Sequence, residues 1–362
     1  PLLICPSLSH IEEKSLKKAH EMSSFRRIFP PNQMRSISPQ YYTWKIMQNP
    51  FKSGLISLAK RDGKTVGSAT ITPKPLYVLG KEILGAEIGD TFTHPSYQRQ
   101  GIFSQRVKDC TEFAISSGIQ LIYGTPNDQS LPGYQTKLGY LPCNHARVTE
   151  MLKFVDIRCL KEKIRKKVRL RGINELGAYA YTSYQWIKQK KLRDSKREFE
   201  IQRLQTADST IDDLSRSRIN KICFSLIKNE EYITWRFFNN PEEYDILFAI
   251  NNSKILGYIV GKVVDIYSVK TGILGDFATY NDRDDIFLKL LEEMEYHFAS
   301  KGVQIIRVWC VNGNSYYRVL SRRGYLKKSE IVLIVFAGTE LSRQLINCKG
   351  QWDFTIADSD NI

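Results

Sequence analysis

The segment HPSYQRQGIF, residues 94–103, places a glycine between a polar loop and an apolar run. The residues before it, EILGAEIGDTFTH, alternate loosely and are typical of a strand that ends near His94. The residues after it, IFSQRVKDCTEFAISSG, have apolar positions at helical spacing, with a stop at Gly118. In such a unit the first N–H groups of the helix point outward at the positive end of its dipole, and a glycine lets a ligand approach the main chain. The segment therefore predicts a pyrophosphate site, with a simple helix start as the alternative.

The cysteines and histidines indicate neither a metal site nor a redox site. The seven cysteines are scattered and form no C-x-x-C pair, which indicates a reducing compartment. No histidine stands at metal-ligand spacing from a glutamate or a cysteine, so we expect no metal. The sequence also lacks the G-x-S-x-G, Walker and H-E-x-x-H motifs, which excludes those signatures of hydrolases, nucleotide-binding loops and zinc proteases.

The length and the hydropathy limit the class of protein. A chain of 362 residues is long enough for two domains. No apolar run approaches the length that spans a bilayer, and PLLICPSLSH is too short for a signal peptide. Because the first residue is Pro1 instead of methionine, we expect the native start to lie upstream. We predict a soluble, cytoplasmic protein.

The net charge of +15 is concentrated in one segment. Between Met151 and Gln205 there are sixteen Lys/Arg and six Asp/Glu. Aromatic residues are sparse there, which favours a solvated helical connector over a stripe that binds nucleic acid. Attraction of an anionic substrate is a third use of the same charge. We do not expect nucleic acid or a membrane to be the partner.

The two halves of the chain repeat each other. YTWKIMQNP, residues 42–50, recurs as ITWRFFNNP, residues 233–241. The Gly-Asp pair at 89–90 returns at 275–276, and GIQLIYGTPN...KLGY returns as GVQIIRVWCVN...RRGY. The offset drifts only from 191 to 185, so the order is hard to obtain by chance.

Each half predicts a mixed, mostly antiparallel sheet flanked by helices, that is, two tandem α/β domains. The first helix of each half is predicted at Tyr42 to Gln48 and at Tyr232 to Asn239, and the tryptophans Trp44 and Trp235 in them are predicted to pack in the core. The buried strands are predicted at 120–123 and 304–309.

On these residues, each half resembles the GNAT superfamily of acyl-CoA-dependent N-acyltransferases, and the chain resembles its tandem-domain members, over residues 41–152 and 232–334. The family signature Q/R-x-x-G-x-G/A is met by QRQGIF, residues 98–103, except that Phe103 replaces the usual small residue. The resemblance implies a catalytic GNAT domain that binds acyl-CoA, a basic helical connector, and a degenerate GNAT-like domain that helps form the acceptor site. The corresponding ranges are 1–155, 156–205 and 206–362.

The resemblance also implies which residues bind acyl-CoA. Backbone N–H groups from Arg99 to Ser104 would hold the pyrophosphate, and Phe92 and Thr93 would pair with the pantetheine arm as an added strand. Asn127 would either reach the pantetheine or cap the next helix. The complete set is Phe92, Thr93, Gln98, Arg99, Gln100, Gly101, Ile102, Phe103, Ser104 and Asn127.

The second half departs from this pattern at the same loop. It reads YNDRDDIF, without the glycine and with three aspartates, Asp282, Asp284 and Asp285. Carboxylates repel a pyrophosphate but are favourable at a helix N-terminus. We therefore expect that only the first half binds acyl-CoA.

Transfer to an alkyl amine needs a base, because an amine with a pKa of about 10.4 is protonated at neutral pH. Glu87 stands fourteen residues before Gly101, the position of the base in histone-acetylating GNAT members, and the second half has Ile273 there. The alternative is an outward-facing strand glutamate. His94 is a second candidate base. We expect Glu87→Gln to lower turnover most at low pH and to leave CoA affinity intact.

The leaving thiolate is often protonated by a tyrosine in this family, but Gln135 occupies that position here. Tyr134, one residue earlier, is the candidate acid. The alternative is departure as a thiolate without help, since a thiol has a pKa near 8.5.

The chain is thus predicted to be an N-acyltransferase in which an amine attacks acyl-CoA directly. Tandem GNAT chains with a G-I-F-S loop resemble enzymes that acylate nucleotide-linked amino sugars for bacterial surface polysaccharide, including O-antigen. The alternatives are a protein, peptide or antibiotic amine as acceptor, and a scaffold or nucleic-acid-binding module without catalysis.

Overall fold

The structure is a computed structural model that describes residues 8–28, 37–156, 198–219 and 222–360, with side chains of the first helix described from residue 15. Almost all of the basic connector predicted at 156–205 lies outside these residues. No helix in the described ranges is long and apolar enough to cross a membrane.

Helices and strands alternate along both halves of the chain. The α-helices are α1 (Leu8–Arg26), α2 (Pro39–Tyr42), α3 (Ile102–Ser116), α4 (Leu131–Lys137), α5 (Thr210–Ile219), α6 (Glu230–Ile233), α7 (Asp284–Ser300), α8 (Ser315–Arg322) and α9 (Glu340–Ile346). The strands are β1 (Leu55–Arg61), β2 (Lys64–Val78), β3 (Lys81–Thr93), β4 (Leu121–Gly124), β5 (Tyr140–Pro142), β6 (Val148–Phe154), β7 (Glu200–Gln202), β8 (Ile222–Leu226), β9 (Asp245–Asn251), β10 (Lys254–Ile266), β11 (Val269–Thr279), β12 (Ile305–Val311), β13 (Leu326–Ile331), β14 (Ile334–Phe336) and β15 (Gln351–Trp352). Short π-helices follow α2 and α6, at Thr43–Met47 and Thr234–Phe238.

The strands form two mixed sheets, as the repeat predicted. The first has the order β15-β8-β2-β3-β4-β14-β5, with β1 also paired to β2. The second has the order β13-β6-β12-β11-β10-β9-β7. In each sheet one crossover pair is parallel, β3 with β4 and β11 with β12, and its helix, α3 or α7, packs on the sheet. The predicted mixed α/β architecture is therefore confirmed.

The halves contribute strands to each other's sheets. Strands β8 and β15, from the second half, form one edge of the first sheet. Strand β6, from the first half of the sequence, lies between β12 and β13 in the second sheet. Strand β14, from the second half, lies between β4 and β5 in the first sheet. Neither sheet is complete without the other half of the chain.

The two copies of the tryptophan motif face each other where the halves meet. The rings of Trp44 and Trp235 stack with centroids 5.0 Å apart, and the indole Nε1 of Trp44 donates to the backbone oxygen of Trp235 at 3.0 Å. Both side chains are buried. The predicted helices containing them are each a short α-helix that continues as a π-helix, and both tryptophans pack in the core as expected.

Two of the cysteines form a pair that the sequence did not predict. The structure joins Cys223, on β8, to Cys348 in a disulfide. The two residues are 125 positions apart, so no local spacing could reveal the pair. The cysteines Cys110, Cys143 and Cys310 are free and buried.

Candidate active site

Strands β3 and β4 separate at the centre of the first sheet. Their parallel pairing runs from Gly85↔Leu121 to Glu87↔Tyr123 and ends there. Pairing of β3 with β2 continues to Thr93, past a bulge in the register around Asp90, whose φ is +50°. The next residue of β4, Gly124, pairs instead with β14. Beyond Ile88, the edge of β3 that faces β4 is therefore unpaired in the described part of the chain, and it includes the expected pantetheine residues Phe92 and Thr93. We call this unpaired region between β3 and β4 the gap.

The glycine loop lies at the open end of this gap. It contains a 3-10 turn at Pro95–Tyr97 and leads into α3, as the sequence predicted. Gly101 has a φ of +78°, and a Cβ placed there would meet nothing within 4 Å. The glycine is thus favoured by its left-handed backbone and not by crowding. Residues 98–101 are exposed, and the first turn of α3 contains no acidic residue and no capping side chain. This end of α3 suits an anion.

The remaining predicted loop residues have different surroundings. Ile102 is buried and approaches Gly67, whose Cβ would lie 2.3 Å from its side chain. Phe103 packs edge-on against Tyr134 and covers Gly133, where a Cβ would lie 2.8 Å from the ring. The bulky residue of the signature therefore fills space between α3 and α4, away from the exposed backbone of residues 98–101.

The matching loop of the second half contains carboxylates that pair with nearby arginines. Asp284 and Asp285 stand in the first turn of α7, and Asp285 pairs with Arg283 at 2.6 Å. Asp282, just before the helix, accepts from Arg218 at 2.6 Å. The three aspartates therefore lie at the start of α7, as the sequence predicted. Their negative charges would repel a phosphate group at the same position.

Glu87 lies at the inner end of the gap, at the last position where β3 pairs with β4. The residue is 2% exposed, so the alternative of an outward-facing glutamate is wrong. One carboxylate oxygen contacts Lys74 Nζ at 2.5 Å, and the other accepts from the backbone N–H of Asp360 at 3.0 Å. Burial, and next the charge of Asp360, raise the pKa of Glu87, while Lys74 acts in the opposite direction. A buried carboxylate of raised pKa is suited to accept a proton near neutral pH.

Sequence reasoning did not identify Lys74 or Asp360. The one available signal was Pro-Lys-Pro at 73–75, inside a strand otherwise rich in apolar and β-branched residues. On the edge of β2 opposite β3, pairing with β1 ends at Ile71 and pairing with β8 begins at Leu76. The prolines, which have no N–H to donate, are tolerated because they lie in this break. Lys74 lies within this break, is fully buried and contacts Glu87.

The other candidate side chains have local hydrogen bonds. His94 Nδ1 accepts from the backbone N–H of Ser96 at 3.2 Å, at the start of the 3-10 turn. Asn127 Oδ1 accepts from the backbone N–H groups of Gln129 at 3.1 Å and Ser130 at 2.9 Å. These bonds lie within the turn that precedes α4, whose N-cap residue is Ser130.

Tyr134 lies on the opposite face of β3 from Glu87. It packs with Ala86 and Ile88 on the α3 side of the sheet, and strand alternation directs Glu87 to the other side. Its hydroxyl donates to Thr91 Oγ1, beyond the point where β4 diverges, at 3.5 Å. Burial raises the pKa of Tyr134, so the phenol stays protonated and can donate a hydrogen bond.

Comparisons with known proteins agree with this geometry. A family model described as "Acetyltransferase (GNAT) family" matches residues 19–140. No curated protein matches the sequence at a significant level. The solved structures described below are 10–14% identical to this chain, so they show the fold alone.

Three of them illustrate the fold. Saccharomyces cerevisiae N-myristoyltransferase with bound myristoyl-CoA and inhibitors has a TM-score of 0.60 at 13% identity, over 93% of this chain and 81% of that chain. A tandem GNAT protein from the clavulanic acid biosynthesis pathway has a TM-score of 0.56 at 10% identity, over 90% and 95%. A conserved protein of unknown function from Enterococcus faecalis V583, a probable N-acyltransferase, has a TM-score of 0.56 at 14% identity, over 89% and 70%. Residues 19–140 thus match the GNAT acetyltransferase family model, and the chain has a fold like that of the tandem GNAT protein.

Proposed function

We propose that the chain is an acyl-CoA-dependent N-acyltransferase with one working site, in its first half. The observation that carries the proposal is the gap between β3 and β4, with an acid-free glycine loop at its mouth and the buried Glu87 at its inner end. The family match covers the same residues. The acyl-CoA pyrophosphate would lie on the backbone of residues 99–104, with the pantetheine along Phe92 and Thr93.

In the proposed reaction a neutral amine attacks the thioester carbonyl directly. The new C–N bond forms as the C–S bond breaks, the amine proton passes to Glu87, and the sulfur leaves as a thiolate. Glu87 takes the proton directly or through a water, with His94 as the second candidate. Tyr134, whose pKa is raised above that of a thiol, donates a hydrogen bond to the thiolate and keeps its own proton.

The second half completes the enzyme without binding a cosubstrate. Its strand β14 closes one side of β4, and its acidic loop is paired with its own arginines. We retain the ranges 1–155 and 206–362 for the two domains, with β6 contributed to the second sheet and β8, β14 and β15 to the first, and the basic connector at 156–205. A cytoplasmic location belongs to the same proposal, since acyl-CoA is the cosubstrate.

For the acceptor we propose the amino group of a nucleotide-linked amino sugar, used for a bacterial surface polysaccharide such as O-antigen. The support is the tandem arrangement, the G-I-F-S loop, and a net charge of +15 that attracts a diphosphate.

One cleft favours a different acceptor. A cleft of about 410 Å³ lies between the halves, lined by Gln48 of the first and Trp235 of the second. Its wall also carries Asp212, Glu230 and Glu231. Three carboxylates would attract a cation, so a basic peptide, a polyamine or an antibiotic with several amines is the second candidate.

The release of CoA thiol from acetyl-CoA, measured against a panel of amines, distinguishes the two acceptor classes. We expect turnover with nucleoside-diphosphate amino sugars and little with spermine, aminoglycosides or lysine-rich peptides. Turnover only with the cationic amines, lowered by Glu230→Gln with Glu231→Gln, would contradict the amino-sugar proposal and favour the acidic cleft. No turnover with any amine would contradict both.

Tyr134→Phe tests the hydroxyl on the α3 side. We expect it to lower kcat about tenfold, because a hydrogen bond to a charged group contributes about 1.5–3 kcal/mol, and to leave the acetyl-CoA Kd unchanged. The matched control is Tyr140→Phe, which removes a hydroxyl from the same aromatic cluster but one that contacts Thr111. Equal losses of kcat in the two variants would show that the effect comes from packing.

A further inference from the structure

The last described residues of the chain are buried between the two halves. Strand β15 pairs in parallel with β8, and the side chains that follow it, including Phe354, Ile356 and Ala357, are buried. The hydroxyl of Tyr123, on β4, donates to the backbone oxygen of Asp358 at 2.7 Å. The segment 353–360 therefore reaches from the edge of the first sheet to the residues beside Glu87.

The acidic residues of this segment contact cations of both halves. Asp353 pairs with Arg218 at 3.0 Å, and Asp358 pairs with Lys228 at 3.1 Å, both in the second half. Asp360 instead contacts two lysines of the first half, Lys74 at 3.3 Å and Lys45. Asp360 thus joins the end of the chain to the site of the first half.

Glu87 and Asp360 share one ammonium group. Lys74 Nζ contacts Glu87 at 2.5 Å and Asp360 at 3.3 Å, and the backbone N–H of Asp360 donates to the other oxygen of Glu87. Thr72 Oγ1, on the same strand as Lys74, donates to Asp360 at 3.3 Å. Both oxygens of Glu87 therefore have a fixed partner, and one of those partners belongs to Asp360.

Carboxyl groups outnumber ammonium groups among the described contacts of this cluster. Three carboxyl groups, of Glu87, Asp90 and Asp360, contact the two ammonium groups of Lys45 and Lys74. All five side chains are at most 8% exposed, and the neighbouring phenol of Tyr123 is neutral because burial raises its pKa. A carboxylate that shares its cation with a second carboxylate keeps more of its proton affinity than one that has the cation to itself.

Lys74 and Asp360 change the proton affinity of Glu87 in opposite directions. The ammonium group of Lys74 favours the carboxylate form of Glu87 and so makes it a weaker base. The negative charge of Asp360, placed on the same ammonium group, raises the proton affinity of Glu87. Burial contributes most to the raised pKa of Glu87, and Asp360 is the next cause.

From this geometry we propose that Asp360 is a positioning residue, which orients Glu87 through its backbone N–H and sustains the basicity of Glu87 through its carboxylate. The inference rests on the proposed function, because Glu87 is the proposed base of that reaction. A residue of segment 353–360 therefore acts in the site of the first half.

Infrared titration of the full-length protein tests the proposal without an acceptor. The carbonyl stretch of a protonated carboxyl group is followed against pH, and the band that disappears in Glu87→Gln is assigned to Glu87. We expect the midpoint of this band to move to lower pH in Asp360→Asn and to higher pH in Lys74→Met. The matched control is Asp62→Asn, the same change in an exposed turn, which should leave the midpoint unchanged. An unchanged midpoint in Asp360→Asn would overturn the proposal.

Kinetics with the acceptor found in the amine screen provide a second readout. In Asp360→Asn we expect kcat to fall about tenfold, with the low-pH limb of its profile displaced in the same direction as the infrared band, and Asp360→Glu to restore part of the loss. A uniform loss at all pH values, with no displacement, would mean a merely structural role. If Asp360→Asn does not fold, the shift in Lys74→Met and the partial effect of Asp360→Glu decide the question.

The two proposals can fail separately. If the wild type does not bind acetyl-CoA, the proposed function fails whatever the infrared midpoints show. If it binds acetyl-CoA and Asp360→Asn leaves both the midpoint and the pH profile of Glu87 unchanged, only the role of Asp360 is wrong.

Discussion

Glu87→Gln is expected to lower kcat by about 100-fold or more while leaving the Kd for acetyl-CoA unchanged, since general bases contribute factors of about 10² to 10⁴. The glutamine has the same size, so packing is retained, and its one carbonyl oxygen can replace one of the two acceptor oxygens that Glu87 presents to Lys74 and to the backbone N–H of Asp360. It cannot accept the amine proton. Steady-state kinetics and calorimetric titration, on the same preparation, measure the two quantities.

The matched control is Glu82→Gln, the same change at an exposed position of the same strand. This variant should have the kcat of the wild type. Unchanged kinetics in Glu87→Gln would remove Glu87 from the mechanism, and a matching loss in His94→Ala would move the role of base to His94.

The pH dependence of this loss differs from what the sequence predicted. We expected the largest effect at low pH, where more of the amine is protonated. Burial raises the pKa of Glu87, so its carboxylate form is lost as the pH falls through that raised value. Below it the wild type has no base either. The ratio of wild-type to variant kcat should therefore increase from acid to neutral pH and decrease again toward the amine pKa of about 10.4.

Gly101→Asp is expected to weaken acetyl-CoA binding about 100-fold or more. A carboxylate at the start of α3 would stand against the pyrophosphate, and a pair of like charges 4 Å apart near a protein surface costs about 4 kcal/mol. The substitution gives the first half an acidic loop like that of the second, where Asp282 and Asp285 pair with arginines. Calorimetric titration of acetyl-CoA measures the change in Kd.

The control is Gly101→Asn, which has nearly the same size and no charge. The φ of +78° at Gly101 is strained for any side chain, but asparagine tolerates it best and the Cβ has room. We expect Gly101→Asn to retain most of the affinity. An equal loss in both variants would show that backbone conformation, and not charge, controls binding at this loop.

The fold followed from the sequence because its elements repeat. The Gly-Asp pairs at 89–90 and 275–276 lie at equivalent places, in β3 and β11, and the matching buried strands are β4 and β12. The placement of β6 in the second sheet, and of β8, β14 and β15 in the first, was not predicted. A short apolar strand shows that it is buried but carries no information about which of two similar sheets it joins. The same limit applies to Cys223 and Cys348, which are brought together only by the pairing of β15 with β8.

The sequence predicted those residues of the candidate site that are marked by nearby sequence patterns. Gly101 precedes a helix, and the structure gives it the left-handed conformation that such a loop requires. Glu87 was identified through its spacing from Gly101, and the structure buries it at the inner end of the gap. Lys74 and Asp360 were missed because their importance lies in contacts across the fold. Asp360 is 273 residues from Glu87 in sequence, so no window on the sequence contains both.

The central claim is that this tandem chain contains one working acyl-CoA site, in its first half. Calorimetric titration of acetyl-CoA into the wild-type protein tests it most directly. The account predicts binding of about one equivalent, lost in Gly101→Asp and unaffected by Asp284→Asn in the second half. Two equivalents would show that the second half also binds acyl-CoA. No binding would contradict the claim outright and would leave a scaffold or a nucleic-acid-binding module as the function of both halves.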